Sequence, residues 1–256
     1  MAIFINSIKL INSILYRIFK KRFLLSDVYQ TTGSASRINK LLAYTAGKNY
    51  LEIGVNYGFT FEGVKAENKL GVDPQKKFFT FSLGNHLKDN SDKFFKSNMN
   101  KFDVIFIDGL HEYKQVLRDI VNSLNSLNKG GVILIDDVYP TDFNIAAKSW
   151  ESLTAEEKNS LSKGYFSWQG DVYKAVFLAI NEYKGLIDFF TVNDNNHIQM
   201  IVKKKNHEAV FEIPLQETLE LYDNPKFINE LKNGIPRSWN CCSMEEAIIN
   251  LGKTNY

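Results

Sequence analysis

The sequence predicts an α/β fold built on a doubly wound, mostly parallel sheet. Three observations predict it. Strand and helix signals alternate from about Lys48 to Lys205; several strands are almost unbroken apolar runs, as in "FDVIFIDG"; and the last two strand signals follow one another with no helix between them. Alternation places helices on both faces of a parallel sheet, and strands covered on both faces have no polar side to show.

Taken in order, "NYLEIG" reads as a buried strand, "FTFEGVKAE" as a helix, and "KLGVDP" as a second strand stopped by Pro74. "SDKFF" opens a helix with Ser91 or Asp92 as its N-cap. "FDVIFIDG" is the third strand. In "HEYKQVLRDIVNSLNSLN", Tyr113, Val116, Leu117, Ile120, Leu124 and Leu127 share one helical stripe, and "KGG" is the expected stop. "GVILIDD" is another buried strand. "GDVYKAVFLAINEYKG" reads as a helix capped by Asp171 and closed by Gly185. "LIDFFTV" and "HIQMIVKKK", joined by the turn-like "NDNN", make an antiparallel end to the sheet.

The flanks divide the chain into an N-terminal helical segment (1–45), the α/β domain (46–205) and a C-terminal appendage packed on the same domain (206–256). "MAIFINSIKLINSILYRIFKKRF" sets Phe4, Ile8, Ile11, Leu15 and Ile18 at helical spacing. Asn6, Lys9, Asn12 and Arg17 interrupt it too often for a spanning helix, and no small-residue cleavage site follows. Three readings stay open: a helix packed on the domain, a homodimer-forming helix, or an interfacial helix in peripheral contact with a membrane.

The 256 residues are 44% hydrophobic and 13% aromatic, enough for a sizeable core. A formal charge of +2, with no basic stripe interleaved with aromatics, argues against a nucleic-acid partner. The two cysteines are neighbours, Cys241 and Cys242, with no spaced disulfide framework. A reducing cytoplasm, or the inner face of its membrane, is the expected location.

Ligands of open α/β sheets bind beyond the carboxyl ends of the strands. There the chain reads "YLEIGVNYGFT", with Gly54 and Gly58 in a strand-to-helix turn, Glu52 just upstream, and Asp73 nineteen residues beyond Gly54. An acid at that distance reaches a ribose diol in NAD and S-adenosylmethionine alike. The turn separates the two. A pyrophosphate cradle wants G-x-G-x-x-G, but here Asn56 occupies the middle position and one glycine is missing. The looser turn leaves room for an amino-acid chain, and Glu52 is placed to face an ammonium group or bond loop amides.

Together "YLEIGVNYGFTF", "LGVDP", "SDKFF", "FDVIFIDGLHEYKQVLRDI", "GGVILIDDVYP" and "GDVYKAV" resemble a bacterial class I S-adenosylmethionine-dependent methyltransferase, with its Rossmann-like sheet. The branch they resemble methylates sugar hydroxyls in surface-glycan biosynthesis. The resemblance implies that Glu52, Gly54, Asn56 and Gly58 form the cofactor loop and Asp73 holds the ribose. Ser91 and Asp92 would line the adenine pocket, with Asp108 bordering the same site.

Asp108 ends one strand and Asp136–Asp137 the next, so three carboxylates converge with His111 at one sheet edge. Such a cluster needs compensation, which a divalent cation with oxygen ligands supplies. Metal-dependent O-methyltransferases are similar here, which makes Asp108, Asp136 and Asp137 candidate ligands for Mg²⁺ or Mn²⁺. Many relatives carry a His-Asp pair in place of Asp136–Asp137. The proton of an acceptor hydroxyl would pass to His111 or to a carboxylate, with Asp108, His111 and Asp137 as the catalytic set. Each also has a structural reading: Asp108 or the Asp136–Asp137 pair as helix or turn caps, His111 as a cover over the cofactor. The expected acceptor is a small molecule, a sugar or nucleotide-sugar bound for capsule or lipopolysaccharide. His111, Tyr139, Trp168 and Asp171 are its candidate contacts, and Tyr165 joins Trp168 as a ring platform. Trp168 reads equally as a core plug. The long polar "DFNIAAKSWESLTAEEKNSLSKG" suits a lid.

Overall fold

The computed structural model describes residues 33–56, 58–75, 85–140, 142–146, 152–162, 168–194, 197–223 and 226–253. The helix expected over residues 4–18 lies outside them, as does Tyr165. The chain runs α1 (Ser34–Thr45), β1 (Asn49–Ile53), α2 (Phe59–Gly63), β2 (Asn68–Val72), β3 (His86–Leu87), α3 (Ser91–Ser97), β4 (Phe102–Ile107), α4 (Tyr113–Asn125) and β5 (Leu127–Ile135). It continues through α5 (Phe143–Ala146), α6 (Ala155–Ser162), α7 (Val172–Glu182), β6 (Ile187–Asp194) and β7 (His197–Lys204). The end is α8 (Gln216–Leu221), α9 (Lys226–Leu231), a 3₁₀ turn (Arg237–Trp239), β8 (Cys241–Cys242) and α10 (Met244–Lys253).

Among the described residues the sheet order is β3-β2-β1-β4-β5-β7-β6-β8. β3, β2, β1, β4 and β5 pair in parallel. β7 is antiparallel to both β5 and β6, as the adjacent strand signals predicted. Chain order reverses between β1 and β4, so the crevice above these two strand ends is where a ligand belongs.

The apolar runs are explained by two cores. Leu51, Ile53, Ile105, Ile107, Ile133 and Ile135 face α4 and α7 on one side. Tyr50, Val104, Phe106, Val132 and Leu134 face α1 and α10 on the other. With both faces covered, no position along the central strands is left for a polar residue without a purpose. Glu52, fully buried in β1, stands out for that reason.

Three local expectations are corrected. α4 ends at Asn125, and Leu127, placed by spacing on its stripe, instead opens β5 opposite Phe102. The "KGG" glycines therefore serve the strand: the register shifts between Phe102 and Val104, and Gly131 packs against the carbonyls of Phe102 and Asp103. α3 is capped one residue earlier than expected, by Asn90, whose side chain accepts from the Lys93 amide. Asp171 holds the N-cap position of α7 without capping it; its carboxylate turns to another helix.

Residues 206–253 share the core: Leu231 and Trp239 are fully buried, Trp239 packs on Phe177 with ring centroids 4.9 Å apart, and β8 extends the sheet beside β6. No helix among the described residues is long and apolar enough to cross a membrane.

Candidate active site

The crevice above β1 and β4 holds a cavity of about 420 Å³, bordered by Gly54, Asn56, Asp73, Ser91, Asp108 and His111. Its shape is set by one close approach. Gly54 sits at φ +90°, and a Cβ there would overlap the carbonyl oxygen of Asp108 and the Cα of Gly109. Any side chain at position 54 would push the loop after β4 away. Asp73, at the end of β2, is nearly buried; one carboxylate oxygen accepts the Asn56 amide at 2.7 Å and the other the Gln75 amide at 2.7 Å. The glycine turn and the acid are thus one hydrogen-bonded unit, and Asn56 is held at φ +49° within it.

At the other end, Asp108, His111 and Asp137 bring ligand atoms within 4.8 Å of one another. His111 Nε2 lies 3.5 Å from Asp108 and Nδ1 lies 3.2 Å from Asp137. The segment before α7 holds this histidine. The Trp168 carbonyl accepts from Nδ1 at 2.8 Å, and the indole stacks on the imidazole with centroids 5.7 Å apart. Gly170 leaves room for no Cβ against the His111 backbone, the Asp171 amide donates to the His111 carbonyl, and the Asp171 carboxylate accepts the Tyr113 amide at 2.7 Å.

Each charge in this cluster depends on its neighbours. Burial pulls the His111 pKa down, but the hydrogen bond to Asp108 and the charge of Asp137 outweigh it and raise the ring to about 10. Burial, then the charge of Asp136, pushes Asp137 up to about 7, against the pull of His111. The two shifts share their contacts: Asp108 and Asp137 favour the charged ring, while burial and Asp136 disfavour charge on Asp137.

Residues 51–138 match a family model described as a methyltransferase domain. The match is confined to this segment, from β1 to just past the end of β5. No curated protein matches the chain. Among solved structures, it is similar to the methyltransferase PaMTH1 of Podospora anserina bound to SAH, with 16% identity, 71% of this chain and 86% of that one covered, and a TM-score of 0.50. It is similar also to an O-methyltransferase of Bacillus cereus in complex with SAH (12% identity, 75% and 95% covered, TM-score 0.46). A third is the O-methyltransferase TomG of Streptomyces achromogenes in complex with SAM (13% identity, 75% and 94% covered, TM-score 0.45). At 16% identity the likeness to PaMTH1 speaks to the fold alone.

The residues expected from the sequence divide. Gly54, Asn56, Asp73, Ser91, Asp108 and His111 meet at the cavity. Gly58 sits beside it, at φ +79°, as the N-cap of α2. Glu52 points to the opposite face of the sheet, where its carboxylate accepts from Tyr50 Oη at 2.5 Å; burial raises its pKa well above the ordinary value. Asp92 stays at the surface, paired with Arg118 at 3.2 Å. Asp136, expected as a metal ligand, bonds the Asp137 amide and faces Ser34, and His111 takes the third place in the cluster. Tyr139 donates its hydroxyl to the Leu231 carbonyl, and Trp168 and Asp171 hold the His111 loop instead of standing free.

Sequence reasoning missed Gln115 and Asp119. Both border the cavity from α4, and the Gln115 amide reaches Ser91, Asp92 and Asp119, each at 3.1 Å. Burial raises Asp119 to about 7. The available signal was their i, i+4 spacing on a helix that leaves the loop carrying Asp108 and His111.

Proposed function

We propose that the chain is an S-adenosylmethionine-dependent O-methyltransferase acting on a sugar hydroxyl, in cytoplasmic precursor synthesis for a capsule or lipopolysaccharide. The observation that carries the reading is the continuity of one cavity. It begins at a glycine turn tied to Asp73, with no pyrophosphate cradle, and ends at the Asp108–His111 side of a three-residue polar cluster. A sulfonium cofactor seated there would present an already reactive methyl group, so this chain need only bind, orient and remove a proton.

The residues divide that labour. Gly54 lets the two loops close on a slender chain, while Asp73, fixed by two amides, turns its remaining lone pairs toward a ribose diol. Ser91 and Gln115 offer polar groups at the far wall. Asp108 and Asp137 face an acceptor hydroxyl, and Asp137, with its pKa near 7, receives the proton. His111 is the positive partner that lets the two acids coexist, and its ring gives an acceptor a flat wall backed by Trp168.

Mg²⁺ or Mn²⁺ would be the alternative to the charged ring: with His111 neutral, an ion held by Asp108, Asp137 and His111 would balance the two acids instead and lower the pKa of a neighbouring hydroxyl. Free thiols at Cys241 and Cys242 agree with a reducing compartment.

Calorimetry with S-adenosylmethionine, S-adenosylhomocysteine and NAD tests the cofactor: the first two bind and NAD does not. Binding of NAD alone would overturn the reading. A panel of nucleotide-sugars with methyl-labelled cofactor tests the acceptor, and labelling only of phenols or amines would reject the sugar. Full turnover in EDTA would reject the metal and leave Asp137 as an unaided base.

A further inference from the structure

Asp137 is held in an unusual way. It is one of four non-glycine residues with positive φ among those described, at +56°. Ala46 and Asn240 end helical turns, where that conformation is common; Asn56 and Asp137 do not. A left-handed aspartate needs surroundings that hold it. Its amide donates to the carboxylate of its own neighbour, Asp136, at 2.8 Å. Asp136 is nearly buried and is not one of the three residues of the Asp108–His111–Asp137 cluster.

Behind Asp136 runs a buried chain of polar contacts that no step above uses. Ser34 Oγ, at the start of α1, donates to Asp136 Oδ2 at 3.4 Å. The Gln199 side-chain amide in β7 donates to Ser34 Oγ at 2.7 Å. Gln199 Oε1 in turn accepts from Arg37 at 2.8 Å, and Arg37 also donates to the Asp194 carbonyl at 2.9 Å. Ser34, Arg37 and Gln199 are each less than a tenth exposed. Helix α1 and strands β5, β6 and β7 are thereby tied at one point, directly behind the residue that closes the site. A core that merely needed stability would be served as well by apolar side chains, since buried polar chains are costly unless fully satisfied.

We propose that Ser34, Gln199 and Arg37 are positioning residues that act through Asp136 to hold Asp137 in its left-handed, site-facing conformation. The inference rests on the reading of Asp137 as part of the reacting cluster. Arg37 balances the Asp136 charge, Gln199 fixes the orientation of Ser34, and Ser34 directs the Asp136 oxygen not used by Asp137.

The test needs neither acceptor nor metal. Amide hydrogen exchange at Asp137 is measured in the full chain and in Ser34→Ala, Gln199→Leu and Ser34→Thr, beside the core strand amides of Ile133 and Ile135. Ser34→Ala and Gln199→Leu should speed exchange at Asp137 about tenfold while the strand amides stay within about twofold, and Ser34→Thr, which keeps the hydroxyl, should restore it. Affinity for S-adenosylhomocysteine should not change, because Gly54 and Asp73 are untouched. Unchanged exchange at Asp137, or equal acceleration of the strand amides, would overturn the proposal. Should Gln199→Leu fail to fold, Ser34→Ala alone decides. Wild-type protein that bound no S-adenosylhomocysteine would refute the methyltransferase reading, yet Asp137 exchange would still report whether the chain of contacts holds it.

Discussion

At the glycine-turn end of the cavity most of the working parts are main chain. Gly54 is there for what it lacks, and Asp73 is oriented by two backbone amides within twenty residues of it in sequence. At the opposite end they are side chains, drawn from β4, the loop before α4, the end of β5 and the segment before α7. The first end is a local device, which a few residues specify. The second is an assembly whose parts are far apart in the chain, and its electrostatics exist only after folding.

Four measurements would break or sharpen this contrast. The largest effect belongs to Asp137→Asn. It should leave S-adenosylhomocysteine affinity within about threefold while methyl transfer falls roughly 10²–10⁴-fold, the range for loss of a positioned base. Loss of cofactor affinity instead would show that the two ends are not separable. Gly54→Ala should do the reverse of a chemical lesion. It combines overlap with Asp108 and φ +90°, so thermal unfolding should report destabilisation of about 3 kcal/mol or more, and binding should fail with it.

Third comes the pH dependence of stability. The folded-state pKa of His111 is raised from 6.5 to about 10, so its contribution is fully present below pH 6.5 and is lost as pH rises through about 10. Denaturant unfolding should show stability falling over that window, and His111→Gln should flatten the fall. A His111→Gln protein with an unchanged pH profile would remove the imidazolium from the account. The smallest effect is expected at Asp92→Asn. Asp92 is half exposed and paired with Arg118, so stability should change by less than about 1 kcal/mol and S-adenosylhomocysteine affinity by less than about twofold. A larger loss of affinity would return Asp92 to the adenine wall.

Legibility in the sequence follows the same division. Gly54, Asn56 and Asp73 could be found because a tight turn and a strand-end acid leave a fixed spacing, and the structure joins them as one unit. Asp108 and His111 could be found because they follow an unbroken apolar strand. Asp136 and Asp137 could not be told apart: both are acids at one strand end, and only packing against Ser34 turns one of them inward. Trp168 and Asp171 carried signals of platform and cap, but their partners, His111 and Tyr113, are more than fifty residues away.

The sequence by itself determined the layered α/β order, the antiparallel end of the sheet, and the edge of the sheet where the cavity opens, because hydrophobic period and glycine spacing are local properties. Only the tertiary structure decided that His111 lies between two acids that favour its charged form, that Glu52 lies behind the cavity wall against Tyr50, and that the KGG glycines shape a strand. Those outcomes depend on burial and on neighbours brought together across the fold, and burial changes both the charge a group carries and the direction it faces.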